Sequence, residues 1–213
     1  MKNLNFIVIL LFGFLIIFNI TGIYGVDKST VIRRAIDAKD ISALDKKILK
    51  LTKAAAKECA EVFEKAIAQG NLSEKEVFST LYFPVLPLRS PPTFTTFYDT
   101  YTDEFITPIE DKYLASRDDL IFVALVDKNG YLPSHNTKFS QKLIGDRVLD
   151  LKLNRTKRIF NDITGFFAAK NKKEFLLQIY IRDTGEIMAD LSVPVFVLGR
   201  HWGAVRIGYI REK

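Results

Sequence analysis

The chain has 213 residues, of which 48% are hydrophobic, so it can form one compact domain with a substantial core. Its formal net charge is +6 and its pI is about 9.3, and the basic residues are spread along the chain rather than gathered in one long run. This distribution favours a solvated surface over a nucleic-acid-binding one. We therefore expect no nucleic-acid partner.

Several kinds of chemistry are excluded by what the sequence lacks. Cys59 is the only cysteine, so neither an intramolecular disulfide nor a cysteine-based metal cluster can form. Its helical setting predicts a small buried hydrophobe. No Gly-rich phosphate loop, HExxH pair or GxSxG elbow occurs. We expect a protein that is not an enzyme and that uses neither a metal ion nor a cofactor.

Residues 1–25 have the form of an export signal. A lysine near the start is followed by a strongly apolar stretch, Phe6–Phe18, without an acidic residue. The longer apolar run over residues 4–24 also reaches the length of about 20 residues that spans a bilayer. The sequence therefore predicts an exported chain and leaves two fates open for residues 1–25, a cleaved signal peptide or a retained membrane anchor.

The next part of the chain, residues 26–92, has a helical pattern. Apolar residues recur three or four positions apart over Ile41–Ala66, which predicts a long helix with one buried face. Ser42 and Asp45 form a capping-box pattern at its start, and Gly70 is a plausible stop. A second capping pattern at Ser73 predicts a short helix toward residue 81, and four prolines in residues 84–92 predict an extended connection.

Residues 93–153 are predicted to pass from helix to strand. An aromatic stripe from Phe94 to Phe105 has helical spacing, and Pro108 suits the start of another helical turn. The apolar run Ile121–Val126 is followed by Asn129-Gly130 and a second extended arm, which predicts a β-hairpin. Residues 135–150 lack clear periodicity and are predicted to be a loop.

The last part of the chain is predicted to be mostly strand. Residues 154–161 suit a short basic helix capped by Asn154. Alternating or continuous apolar runs then predict strands at Phe175–Arg182, Ile187–Val197 and Trp202–Tyr209, joined by tight turns that make them antiparallel. The predicted fold class is α+β: a long N-terminal helix packed on a PAS-like antiparallel sheet of about five strands.

Five stretches of sequence resemble a known family. They are YDTYTDEFITPIEDKYL (98–114), DKNGYLPSHN (127–136), NRTKRIFND (154–162), LLQIYIRDTGEIMADLSVPVFV (176–197) and GRHWGAVRIGY (199–209). In wording and order they resemble the extracytoplasmic, single Cache-type (PAS-like) sensor domain of bacterial methyl-accepting chemotaxis receptors. The resemblance covers more than half of the chain, from about Phe94 to Tyr209.

The resemblance implies a periplasmic sensor, either free or anchored to the inner membrane through residues 4–24. It implies a small-molecule ligand and a homodimer or a receptor partner, with residues 93–213 forming the sensor domain. No HAMP linker or signalling coiled coil occurs in this sequence, which leaves the mode of output open. Cys59 is followed by Ala60-Glu61-Val62, so haem attachment through a CxxCH motif is excluded.

A sensor pocket needs apolar walls and a few convergent polar groups. The predicted outward sheet positions and the basic stretch nearby supply six candidates for ligand binding, and because Arg binds carboxylates through two parallel hydrogen bonds we expect a small, anionic ligand. They are Tyr131, His135, Arg158, Tyr180, Arg182 and Arg206. Arg155 and Lys157 either line the mouth of such a pocket or face solvent. A strand arginine can also simply pair with an acid, as Arg182 would with Asp190.

Two other functions stay open at this point. The chain could be a non-enzymatic interaction module that partners another membrane receptor. It could also carry a non-covalent cofactor near His135 or His201.

Overall fold

The computed structural model describes most of the chain, namely residues 7–11, 14–18, 34–87, 90–181 and 187–211. It divides the chain into two compact units, Met1–Thr30 and Val31–Lys213. In the first unit, β1 (Ile7–Leu11) pairs antiparallel with β2 (Phe14–Phe18). The signal peptide or anchor predicted for residues 1–25 falls partly outside the described residues. Among the described residues, no helix is both long and apolar enough to cross a membrane.

The second unit contains helices and strands that alternate along the chain. Its helices are α1 (Ala43–Ala68), α2 (Glu74–Val77), α3 (Asp99–Phe105), α4 (Thr107–Leu114), α5 (Arg147–Leu153) and α6 (Ile163–Lys170). Its strands are β3 (Arg34–Ile36), β4 (Phe83–Pro84), β5 (Phe94–Thr95), β6 (Leu120–Asp127), β7 (Tyr131–Leu132), β8 (Arg158–Ile159), β9 (Leu176–Ile181), β10 (Ile187–Val197) and β11 (Arg200–Ile210).

Five of these strands form one antiparallel sheet in the order β3-β9-β10-β11-β6. The three C-terminal strands lie where the alternation of apolar residues predicts them, and they pair antiparallel as predicted. The long helix α1 contacts β10 and β11. The predicted α+β, PAS-like plan of a long helix on a five-stranded antiparallel sheet is therefore confirmed.

The two faces of this sheet have different partners. On one face, Val123, Leu191 and Ile207 pack with the buried side of α1 into the main core. On the other face, Ala124 and Ala204 pack with α6 into a smaller core. Because side chains alternate between faces along a strand, neighbouring residues of β6 and β11 serve both layers. Cys59 lies in the main core and is 1% exposed, as predicted for a small buried hydrophobe.

The N-terminus of α1 is fastened to the end of β11. Ser42 and Asp45 form the predicted capping box, in which the Ser42 amide donates to Asp45 Oδ2 at 2.7 Å. The same carboxylate accepts the Tyr209 hydroxyl at 2.5 Å and Arg211 Nη2 at 2.8 Å. Burial alone would raise the pKa of Asp45, but these hydrogen bonds and the Arg211 charge outweigh it and lower the pKa.

β10 accommodates Pro194 because its pairing with the neighbouring strand β9 ends before that residue. Pro194 pairs with Ala204 of β11, whereas the pairing of β10 with β9 stops at Ser192 and Leu176. Pro lacks an amide hydrogen and is tolerated only where no ladder bond is required of it. The missing donor therefore costs the sheet little.

The hairpin predicted around Asn129-Gly130 is wrong. The turn exists, with Gly130 at φ +81, but β6 pairs with β11 and β7 pairs with β8. Asp127 Oδ1 accepts the amides of Asn129 and Tyr131, and Asn129 does not take the positive φ that a primed hairpin turn needs. The chain consequently turns away from β6.

The helix predicted over residues 154–161 is also wrong. Lys157 has a positive φ of 62, which interrupts a helix, and β7 recruits the following residues as β8. Asn154 donates its side-chain amide to the Gln141 carbonyl instead of capping a helix. The helix of this region, α6, begins later and is capped by Asp162.

Three other predicted boundaries shift. The stretch predicted as a loop, residues 135–150, includes the start of α5, which Asp146 caps by accepting the amides of Val148 and Leu149. Phe94 of the aromatic stripe lies in β5, so the helix there starts only at residue 99. The short helix after Ser73 ends at Val77 rather than near residue 81.

The outer edge of β6 is closed by side chains instead of another strand. Glu110 Oε1 accepts the Leu125 amide at 2.8 Å, and Asn136 Oδ1 accepts the Val123 amide at 2.9 Å. Glu110 is 1% exposed. Burial raises its pKa well above the ordinary value, although the Leu125 hydrogen bond opposes this.

Replacing Asp45 tests the fastening of α1 to β11. Because the folded-state pKa of Asp45 is lowered, its carboxylate stabilises the fold above about pH 4 and loses this effect as pH falls through the folded pKa. We expect Asp45→Asn to cost about 1.5–3 kcal/mol at neutral pH and to flatten the acid side of the stability curve. Urea unfolding as a function of pH measures both. The exposed Asp118→Asn is the control, and equal stability of the two variants would contradict the prediction.

Replacing Glu110 tests the edge of β6. Because the folded-state pKa of Glu110 is raised, its contribution is complete at acid pH and is lost as pH rises through that pKa. We expect Glu110→Gln, which keeps the acceptor for Leu125, to match the wild type at acid pH and to exceed its free energy of unfolding at alkaline pH. Glu110→Leu should cost about 1–3 kcal/mol, because the Leu125 amide loses its acceptor. Parallel pH curves for wild type and Glu110→Gln would refute a buried, protonated Glu110.

Candidate functional site

A cavity of about 370 Å³ opens on the face of the sheet opposite α1, and we call it the sheet-face cavity. It lies between β6, β11 and the segments that carry β7, α5 and α6. Its walls are mostly apolar: Ile121, Phe122, Ala124, Val126, Leu132, Phe139, Phe160 and Met188. Its polar lining residues are His135, Lys152, Arg155, Asp162, Thr164 and Arg206. Apolar walls with a few convergent polar groups are typical of small-molecule sites.

Arg206 reaches the cavity from β11 and is held by a buried carboxylate. Its Nη2 and Nε donate to Asp190 Oδ2 at 2.6 and 3.1 Å. The Asp190 side chain is fully buried, and that of Arg206 is 11% exposed. Burial raises the pKa of Asp190, and the Arg206 guanidinium lowers it in part. The pair fixes the guanidinium beside Phe122, whose ring centroid lies 5.9 Å away.

His135 enters the cavity from the segment after β7 as a neutral ring. Its Nδ1 accepts the Asn136 amide at 2.8 Å, so the neutral ring carries its proton on Nε2. Burial lowers the pKa of His135 to about 3, assisted by the charges of Arg155, Arg206 and Lys138. The ring can therefore supply a hydrogen bond at neutral pH, but no charge.

Among the remaining charged residues of the lining, cations outnumber acids. Lys152 and Arg155 add two cations, and the Arg155 guanidinium lies over the Phe160 ring at 5.3 Å from its centroid. Asp162 is the acid of the lining, and its Oδ1 is already engaged by the amides of Thr164 and Gly165 at the start of α6. The lining as a whole is positively charged.

The six residues predicted to bind the ligand do not lie together in the structure. His135 and Arg206 meet in the sheet-face cavity, as does Arg155 from the basic stretch. Tyr131 is fully buried in the main core, where its hydroxyl donates to Asp99 Oδ2 at 2.8 Å. Arg158 lines a different opening beside α5.

Two of the six candidates cannot be placed in the same way. Arg182 lies outside the described residues. Tyr180 belongs to β9, but its side chain lies outside them. The acid that Arg182 was expected to pair with, Asp190, is paired with Arg206.

Several lining residues were not among the candidates. Phe122 and Met188 follow from strand alternation, because each lies on the same face as Arg206, so a strict reading of periodicity would have found them. Phe139 and Lys152 come from the segment between β7 and β8, whose path depends on a distant strand pairing. Nothing local in the sequence indicates where these two lie.

Metal binding finds no support in the part of the chain that the structure describes. Within those residues, no group of three or more His, Cys, Asp or Glu side chains is placed to hold a metal ion.

Comparison with known proteins gives weak likenesses. The chain matches no protein-family model and no curated protein sequence. It is similar to an extracellular ligand binding receptor from Desulfohalobium retbaense, at 14% identity and a TM-score of 0.36, over 79% of this chain and 26% of that one. It is also similar to the ligand-binding domain of the Campylobacter jejuni chemoreceptor Tlp3 in complex with 4-methylisoleucine, at 14% identity and a TM-score of 0.37, over 82% of this chain and 63% of that one. The chain thus spans less than two thirds of either structure, and neither likeness assigns a family or a ligand to it.

Removing Arg206 tests whether the Asp190–Arg206 pair supports the cavity. Arg206→Met leaves a fully buried carboxylate without its cation, and we expect a loss of about 3–5 kcal/mol in the free energy of unfolding. The double variant Arg206→Met with Asp190→Leu should recover most of that loss, because no uncompensated charge remains. Chemical denaturation of both variants checks this. A single variant within 1 kcal/mol of the wild type would contradict it.

Proposed function

We propose that this chain is an extracytoplasmic sensor that binds a small organic anion in the sheet-face cavity. The cavity itself carries this proposal: it combines mostly apolar walls with a cationic lining that includes Arg206, Arg155 and Lys152. An apolar ligand body would fill the space against Phe122 and Phe160, and a carboxylate would face the cations. The resemblance to Cache-type receptor domains supports the same function.

Ligand occupancy would be relayed through β11. Arg206 lines the cavity, and Tyr209, three residues further along the same strand, donates to Asp45 at the start of α1. A displacement of β11 by a ligand at Arg206 would therefore act on the helix that lies on the opposite face of the sheet. A ligand shifts such an equilibrium only as far as its affinities for the two states differ.

The proposed location and output of the sensor rest on the sequence. We propose a periplasmic location, with residues 1–25 acting as a signal peptide or as a membrane anchor through residues 4–24. We also propose that the part from residue 93 onward provides the ligand site, and that output passes through a second copy or a receptor partner.

Filling the cavity tests the proposed ligand site without changing its charge. Ala124 lies on the cavity wall and is 4% exposed, so Ala124→Met should occupy space that a ligand needs. We expect a thermal-shift screen of the purified full chain to find stabilisation by small carboxylates, about 2.7 kcal/mol at a hundredfold excess over Kd. Ala124→Met should weaken binding of the best hit at least about tenfold, which is about 1.4 kcal/mol.

Two controls sharpen this experiment. Ala54→Met introduces the same side chain on an exposed position of α1 and should leave ligand binding unchanged. The uncharged amide of the best carboxylate should stabilise the wild type less than the acid does, because it offers the cations no negative charge. A screen without any hit among amino acids, organic acids and aromatic carboxylates would contradict the proposed function.

A further inference from the structure

A second opening of about 650 Å³ lies beside α5, and we call it the α5 groove. Its walls include Ser90 and Pro91 from the connection before β5, Leu143 and Leu151 from the α5 region, and Arg147 and Arg158. It shares no lining residue with the sheet-face cavity. It is therefore a separate candidate for a ligand.

Arg158 lines this groove with a charge that has no counter-ion. Its Nε is buried and has no hydrogen-bond partner among the described residues, while its Nη2 donates to the Asn154 carbonyl. No carboxylate of the described residues forms an ion pair with it. Burial, with the neighbouring Arg155 charge, lowers the pKa of Arg158. A partly buried cation without an anion destabilises the folded protein, so a bound anion would stabilise it.

Asp150, the acid that lines the groove, forms no ion pair with Arg158. Both oxygens of Asp150 are engaged by backbone amides, Oδ1 by Ile144 at 2.9 Å and Oδ2 by Gly145 at 3.1 Å. Arg147 adds a second guanidinium to the lining. The lining therefore carries two guanidinium groups and one carboxylate, which is hydrogen-bonded to backbone amides.

The segment that contains α5 is strongly basic in sequence. Residues 138–158 contain seven Lys or Arg and two Asp, a net charge of +5, against +6 for all 213 residues. Such a density of positive charge attracts anions and anionic surfaces.

Apolar side chains line the groove beside these cations. Leu143, Leu151 and Pro91 are among its lining residues. Leu143 is 39% exposed, and its neighbour Ile144 is 70% exposed. Apolar surface beside cations is typical of sites that meet amphiphilic molecules.

We propose that the α5 groove binds an anionic amphiphile, with the anionic head at Arg158 and Arg147 and the apolar chain along Leu143, Leu151 and Pro91. The amphiphile could be free in solution, as a fatty-acid anion is, or it could be an anionic lipid in the outer surface of a bilayer. The shared chemistry is one negative head and an acyl chain. This site is independent of ligand binding in the sheet-face cavity.

The first experiment measures the thermal shift of the full chain with sodium decanoate below its micellar concentration and, in parallel, with decanol. We expect decanoate to bind and decanol to bind much more weakly. Arg158→Gln and Arg147→Gln should each weaken decanoate binding about 10- to 100-fold, the effect of one charge-assisted hydrogen bond. Arg117→Gln is the matched control, because Arg117 is paired with Asp119 and lines neither opening.

The second experiment separates the two sources of the amphiphile. Flotation with phosphatidylglycerol vesicles, compared with phosphatidylcholine vesicles, identifies a bilayer lipid if the bound fraction falls in Arg158→Gln. Binding of decanoate alone identifies a free amphiphile. The proposal is overturned if neither probe depends on Arg158, if decanol binds as well as decanoate, or if decanoate binding is lost in Ala124→Met instead. Arg158→Gln removes an uncompensated charge, so its unliganded melting temperature should stay at or above that of the wild type.

Discussion

The buried carboxylate of Asp45 is the interaction on which the arrangement of the second unit, Val31–Lys213, depends most. It caps α1 from within and receives hydrogen bonds from two residues near the C-terminal end of the described chain, Tyr209 and Arg211. A single side chain thereby joins elements separated by more than 160 residues of sequence. Because β11 also lines the sheet-face cavity, the cavity and the long helix are connected through this strand and the buried Tyr209–Asp45 hydrogen bond.

Local chemistry explains which parts of the fold could be predicted from the sequence. Both capping boxes, the boundaries of β10 and the pairing of β9, β10 and β11 follow from neighbouring residues and tight turns. The errors lie where a distant partner decides the structure. Asn129-Gly130 forms a turn without a hairpin, and the helix predicted over residues 154–161 does not form, because β7 pairs with β8 (Arg158–Ile159) across more than 25 residues.

The same distinction applies to the candidate sites. Arg206 could be found because alternation along β11 assigns it to the face opposite α1. Its ion pair with Asp190 could not be predicted, because that pair depends on which residues of β10 and β11 lie diagonally across from each other. Arg158 was expected beside the other candidates, and the β7–β8 pairing instead leaves it at the α5 groove. Tyr131 has the hydroxyl expected of a ligand contact, but that hydroxyl donates to Asp99 inside the core.

The closure of β6 by Glu110 and Asn136 has a consequence for assembly. A sheet normally invites edge-to-edge growth wherever a flat outer strand offers unpaired amides. Here the amides of Val123 and Leu125 donate hydrogen bonds to side chains of the same unit. The opposite border of the sheet is β3, which is 3 residues long. Among the described residues, the two borders of this sheet therefore offer little for strand addition between two copies.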